Sequence, residues 1–272
     1  MPKNKKEFSD SWAVILGGSS GFGFAAVEKL VMHGMNIAVL YRETAITEKS
    51  LKEKFLQLSK TYKVTIAPFN INALEALARN AFIEELKTIA TKHSVKLLLH
   101  SIARGNLKPL VSSKADTDKN PEILSIEDIQ FTTYAMSTSI LDWSRVLLSA
   151  NFFMPDARII GLTSEGAHKY WEGYAAVSVA KASLESLSTY MAIELSRHGL
   201  KTNLIQAGIT ETPSLNKIPG SETLIEIAKQ RNPMGRITKP EDVANVIYLL
   251  CRDEAYWING SLIHVDGGEH CK

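Results

Sequence analysis

The stretch LGGSSGFGFAAVEKL, residues 16–30, decides the fold. It follows the apolar run WAVILG (12–17) and leads into FAAVEKLVMHG, a helical pattern closed by Gly34. Gly17, Gly21 and Gly23 stand in a GxxxGxG spacing at that strand-to-helix junction. Glycines there let the chain turn tightly and let backbone approach a pyrophosphate, whose charge is stabilised by the free N–H groups at the helix start. Ser19, Ser20 and Phe22 belong to the same turn and are candidate contacts with it. A turn that is merely tight would use the same glycines, so the motif draws its weight from its strand–turn–helix context.

Working outward, short β-rich runs recur at NIAVLY (36–41), KVTIAPF (63–69), VKLLLH (95–100), RIIGLT (158–163), TNLIQA (202–207) and SLIHV (261–265). They are nearly continuous in hydrophobicity, as expected of strands covered on both faces. Helical patterns lie between them, among them LESLSTYMAIELSRHG, closed by Gly199 after basic residues. The alternation predicts an α/β fold: a Rossmann-type, doubly wound parallel sheet of about seven strands in a single domain spanning 1–272. Two polar, turn-rich stretches look inserted, a loop at 110–128 and a region at 209–235 with three prolines and a short helical pattern. Both follow strand ends, where ligands bind in such sheets, and are candidate pocket walls or lids.

Bulk composition narrows the partners. The 272 residues are 45% hydrophobic and 22% charged with a net charge of +2, ordinary for a globular protein and no signal for nucleic acid or an anionic membrane. Two cysteines, Cys251 and Cys271, make no disulfide framework and no zinc-like spacing, so no metal is expected. The basic N-terminal MPKNKKEF runs into no apolar signal core, and no apolar run approaches a membrane span. A cytoplasmic protein is the expectation.

The second strand ends in Tyr41 and Arg42. An acidic residue there would meet the ribose hydroxyls of NAD, whereas arginine suits the extra phosphate of NADP. NADPH is therefore favoured over NADH, although Glu43 is adjacent.

The remaining chemistry concentrates in YAAVSVAK, residues 174–181. Together with the glycine turn, FNIN (69–72) after the third strand and VDGG (265–268) near the end, it makes the whole chain resemble the short-chain dehydrogenase/reductase superfamily. Most members carry a tyrosine four residues before the lysine; that place is Val177 here, and Tyr174 stands seven before Lys181. This spacing resembles the enoyl-acyl-carrier-protein reductases, as do HSIA (100–103), AGITET (207–212) and a serine at 139 in YAMSTSI, where ordinary members have an asparagine. Residues seven apart on a helix return to one face about 10.5 Å along its axis, so both side chains can line one cleft.

The resemblance implies roles. Lys181 would hold the nicotinamide ribose and lower the phenol's proton affinity, while Tyr174 would reach the substrate carbonyl. Ser164 takes the place of the ordinary members' catalytic serine, where many enoyl reductases have a second tyrosine. Asn70 and Ile71 would flank the adenine, Ser101 and Ala103 would run along the adenosine and nicotinamide ribose side, and Gly208, Thr210 and Thr212 would meet the nicotinamide end. The implied reaction is reduction of a trans-2-enoyl thioester, on acyl carrier protein or coenzyme A, by a homotetramer or homodimer in fatty acid biosynthesis. The alternatives are a carbonyl reductase acting on a 3-oxoacyl thioester or other ketone, and a non-catalytic NADP-binding regulator. Tyr134, His168 and Tyr170 could also face a pocket, and Arg104, Lys108 and Lys114 could receive an acidic carrier or be ordinary solvated charges.

Overall fold

The computed structural model describes residues 7–112, 122–218 and 220–272. Lys114, with residues 113–121 of the 110–128 loop, lies outside the described residues. The seven strands form one parallel sheet in the order β3-β2-β1-β4-β5-β6-β7. They are β1 (Trp12–Leu16), β2 (Asn36–Tyr41), β3 (Ile66–Asn70), β4 (Val95–His100), β5 (Phe153–Thr163), β6 (Leu200–Ala207) and β7 (Leu262–Val265). The chain reverses its direction of travel across the sheet at β1, which pairs with β2 on one side and β4 on the other. That is the switch point where doubly wound sheets open a crevice.

Every residue of β1 is buried, yet its side chains still alternate between two layers. Ala13 and Ile15 pack with α1 (Gly21–Met32), α2 (Ala45–Tyr62) and α8 (Pro240–Cys251); Trp12, Val14 and Leu16 pack with α3 (Ala76–Ile89), α5 (Ser139–Ser149) and α6 (Ala175–Glu194). Continuous hydrophobicity in the sequence thus means two covered faces, as the strand runs predicted. The expected helix ends at Gly34 and Gly199 are turns at φ 91° and 77°.

Two boundaries differ from expectation. β3 starts at Ile66, because Lys63 adopts a left-handed conformation and closes α2. β5 starts five residues early, at Phe153, where it pairs with Val95 across an irregularity in the ladder. Within the 209–235 region, α7 (Ser221–Arg231) packs Ala228 against Ile209 and Leu215 as a small separate cluster. α4 (Ile126–Thr133) begins inside the stretch expected to be loop, with Ser125 and Asp128 forming a reciprocal cap at its start.

Candidate active site

The first half of the site is the crevice at β1. Gly17 has φ 83°, and a Cβ there would lie 2.4 Å from the carbonyl oxygen of Ser101 at the end of β4. A Cβ on Gly23 would lie 2.2 Å from the Gly17 oxygen, so only glycine lets α1 pack directly on the turn that precedes it. Gly23 therefore shapes the turn and does not line the crevice. Ser20 caps α1 without a side-chain hydrogen bond, and the first turn of α1 holds no acidic residue. Its N–H groups and positive dipole end are thus left for an anion.

A cavity of about 650 Å³ opens over this turn. Gly17, Ser19, Ser20, Gly21 and Phe22 of the turn line it, and Arg42, Ile71, Ser101, Ala103 and Thr212 belong to the rest of its wall. Arg42 is exposed and, among the described residues, in no ion pair. Asn70 sits behind this wall: its amide donates to the Glu43 carbonyl (3.0 Å) and to Glu48 Oε2 (2.9 Å), and its oxygen accepts from the Glu43 N–H (3.0 Å). It fixes the loop that presents Arg42. The glycine cradle, the open helix end and the free guanidinium suit a dinucleotide phosphate.

The second half is a cavity of about 210 Å³ that shares Phe22, Ser101, Ala103 and Thr212 with the first. Tyr174, Lys181, Ser164, Gly208 and Thr210 line it, so the structure brings together all three predicted catalytic residues. Tyr174 is the N-cap of α6, one position outside the helix on which the spacing had placed it. The pair still reaches one cleft. Thr210 donates to the Gly208 carbonyl (2.9 Å), and the Thr212 hydroxyl accepts from the Leu215 N–H (3.2 Å).

Tyr174 is 8% exposed, its ring packed against Trp171 (centroids 5.2 Å apart) and over Gly166, where a Cβ would come within 2.5 Å of Cε1. Its hydroxyl donates to Ser164 Oγ at 3.5 Å, and Ser164 Oγ also accepts from the Gly166 N–H at 3.2 Å. Burial raises the phenol's pKa, against a smaller lowering by the Ser164 bond. Lys181 is not among the groups that move it. Lys181 Nζ donates instead to the Leu162 carbonyl at 2.7 Å, and burial pulls its own pKa down from 10.5 to about 8, with Glu185 opposing. A phenol that keeps its proton is a hydrogen-bond donor at neutral pH.

Behind Lys181 lies His100, the buried last residue of β4, with Nε2 2.8 Å from Ser139 Oγ. Burial, then the charge of Lys181, lowers its pKa to about 3, so the imidazole is neutral. Ser139 begins α5 directly after a π-helical turn, Tyr134–Thr138, and also donates to the Ala135 carbonyl at 3.2 Å. π-helical turns recur at functional sites.

Several lining residues escaped the sequence reading. Thr163, Glu165, Trp171 and Glu269 line the substrate-side cavity, as do Ile209, Leu215 and Ile218, which come from the 209–235 region expected as a pocket wall but were not singled out within it. Arg231, on the last turn of α7, donates to Glu165 Oε2 (2.7 Å) and Glu269 Oε1 (2.6 Å), tying the 209–235 region to the turn after β5 that begins at Ser164. Of the other aromatics considered, Tyr134 has its hydroxyl 2.9 Å from Asp142 Oδ2 and 3.2 Å from Leu74 O, Tyr170 is 88% exposed, and His168 pairs with Glu185. Lys108 is paired with Asp128, and Arg104 lies over the Phe131 ring.

No helix among the described residues is long and apolar enough to cross a membrane. A family model described as enoyl-(acyl carrier protein) reductase matches residues 17–270. The enoyl-acyl-carrier-protein reductase (NADH) FabI of Aquifex aeolicus is 29% identical over 65% of this chain and 63% of its own length. A tropinone reductase homolog of Arabidopsis thaliana is 25% identical over 94% of this chain and 88% of its own. The crystal structure of the enoyl-acyl-carrier-protein reductase (NADH) from Aquifex aeolicus VF5 superimposes with a TM-score of 0.80 at 25% identity, covering 97% of this chain and 98% of that one. The shifted tyrosine, the crevice at β1 and these likenesses agree: the chain belongs to the enoyl-(acyl carrier protein) reductase family within the short-chain dehydrogenase/reductase superfamily, whose members are nicotinamide-dependent reductases.

Proposed function

We propose that the protein reduces the carbon–carbon double bond of a trans-2-enoyl thioester with NADPH. One observation carries this reading. Val177, at the place of the usual catalytic tyrosine, lines the cavity as an apolar side chain in one cluster with Met136, Ala180 and Tyr174, and Tyr174 is the one phenol that lines this cavity among the described residues. The donor has moved about one helical turn away from the lysine, which suits the carbonyl of a conjugated thioester whose reacting carbon lies two bonds further on.

Bound nicotinamide would supply the hydride. Arg42 and the open end of α1 hold the cofactor's phosphates, and Lys181, pinned to Leu162 O, has N–H groups left for its ribose. Tyr174 donates a hydrogen bond to the thioester oxygen as negative charge gathers there in the enolate. A donor aimed at charge that develops only in the transition state lowers the barrier by roughly 2.7–4 kcal/mol. Ser164 orients the phenol. The apolar wall of Trp171, Ile209, Leu215 and Ile218 shields the enolate from water and seats the acyl chain.

Tyr174→Phe is expected to cut turnover roughly 10²–10³-fold with NADPH affinity little changed. An unchanged rate removes the tyrosine from the mechanism. Arg42 supports NADPH, although the Aquifex relative is named for NADH. An acyl-carrier-protein or coenzyme A thioester as substrate, a cytoplasmic setting, a role in fatty acid biosynthesis and a homotetrameric or homodimeric assembly belong to the same reading. A second reading, reduction of a ketone, draws on the Tyr174–Ser164 contact and on the tropinone reductase homolog.

A further inference from the structure

Each reduction consumes a proton as well as a hydride, and Tyr174 and Lys181 are only 8% and 6% exposed. A route from bulk water to this end of the cleft is present in the side chains. Thr163, the last residue of β5 and 6% exposed, lines the substrate-side cavity beside Ser164. Its Oγ1 donates to Glu185 Oε1 at 2.6 Å. The other oxygen of that carboxylate, Oε2, lies 2.7 Å from Nε2 of His168, whose side chain is 63% exposed against 17% for Glu185.

We propose that His168, Glu185 and Thr163 form a proton relay that carries one proton per turnover from solvent to the cleft at Lys181. The placement of Glu185 argues for it. It stands four residues after Lys181, one turn on along the same face of α6, where a simple ion pair would be expected. The Lys181 ammonium turns to Leu162 O instead, and the two carboxylate oxygens divide between a surface imidazole and a cavity hydroxyl. Ser188 and Thr189 bond only the backbone carbonyl of Glu185, so they do not compete for its carboxylate.

The step balances without a further reactant. The imidazolium of His168 gives its Nε2 proton to Glu185; the neutral carboxyl turns to donate that proton to the Thr163 oxygen, while the hydroxyl swings its own hydrogen from Glu185 into the cleft and gives it, by way of cleft water, to the α-carbon of the enolate (or to the alkoxide of a reduced ketone); His168 takes a new proton from bulk water. One solvent proton is consumed, and the three side chains return unchanged. None of the three touches the reacting atoms, so they are positioning residues for the proton.

The inference rests on the proposed reductase reading, but its test separates the two. The full-length protein is assayed on a 2-enoyl and a 3-oxoacyl thioester, and the relay is judged on whichever is turned over, because both reductions take up one proton. Thr163→Val, nearly isosteric, is expected to lower kcat at least fivefold with KM for the cofactor unchanged and a larger solvent deuterium isotope effect, while Thr163→Ser stays near wild type. His168→Ala, a surface change that keeps the fold testable, is expected to lose rate that added imidazole restores. Equal kcat and isotope effect in wild type and Thr163→Val would overturn the relay. So would equal losses in the Val and Ser variants, or a His168→Ala deficit that imidazole leaves untouched. A wild type inactive on both substrates overturns the relay and the reductase reading together.

Discussion

Both ends of the central sheet bury lysine, and they treat it in opposite ways. At the amino end, Lys96 of β4 and Lys201 of β6 are 6% and 9% exposed, and both donate to Asp156, to which Arg158 also pairs. Arg158 is fully buried and spends its remaining donors on the Leu250, Ala157 and Arg252 carbonyls. Burial alone would raise the Asp156 pKa, but hydrogen bonds from Arg158, Lys201 and Lys96 outweigh it and hold the carboxyl well below its usual range. At the carboxyl end, Lys181 is equally buried but has a carbonyl for its partner and a pKa pulled down to about 8. The first arrangement is a closed structural knot. The second leaves a cation short of counter-charge beside an open cavity, which is what a site waiting for an anionic ligand needs.

The contrast can be broken most forcefully at Asp156. Asp156→Asn leaves three buried cations sharing no carboxylate and is expected to cost on the order of 3 kcal/mol, read by urea unfolding, with the cleft's chemistry little affected. The sign with pH follows from the lowered pKa. The contribution of Asp156 is fully present above the ordinary carboxylate value of 3.8 and is lost as pH falls toward the folded-state value.

Lys181 should behave in the reverse sense. Lys181→Met removes a buried charge whose depressed pKa costs about 3 kcal/mol at neutral pH, less about 1 kcal/mol for the lost hydrogen bond. The variant is expected to be more stable by about 2 kcal/mol on that arithmetic while losing most of its turnover. In the wild type the unfolded chain binds more protons than the folded one between about 8 and 10.5, so the Lys181 term raises stability as pH climbs through that window. Turnover should fall over the same window as the ammonium is lost. A destabilised Lys181→Met protein would show that the lysine belongs to a structural knot after all. The smallest expected effect sharpens the carboxyl end: Arg42→Ala should weaken NADPH binding about tenfold, near 1.4 kcal/mol, and leave NADH binding unchanged.

The sequence revealed the carboxyl end far better than the amino end. Gly17 and Gly23 are tied to one geometry by contacts that no other residue allows and Gly21 by its left-handed backbone at φ 53°, so their spacing is readable without coordinates. The strand runs, buried on both faces, gave the sheet in the same way. Asp156, Lys96 and Lys201 lie on or beside three different runs, and nothing in their local spacing shows that the parallel register stacks them together. Glu185 was closer to legible, being four residues from Lys181 on a helix, but its second partner, His168, depends on how the turn after β5 folds back over α6. The partner of Lys181 was hidden for a related reason. A helical spacing fixes which side chains share a face, whereas the direction of the Lys181 ammonium was set by the Leu162 carbonyl of a neighbouring strand.

The central claim is that Tyr174, seven residues before Lys181, serves reduction of a conjugated double bond. Its most direct test is oxidation of NADPH and of NADH, followed in the near ultraviolet, with a trans-2-enoyl thioester and a 3-oxoacyl thioester side by side. The account predicts oxidation of NADPH with the enoyl substrate alone. Oxidation with the oxo substrate alone would contradict it and make the shifted tyrosine a carbonyl-reducing residue on the same fold.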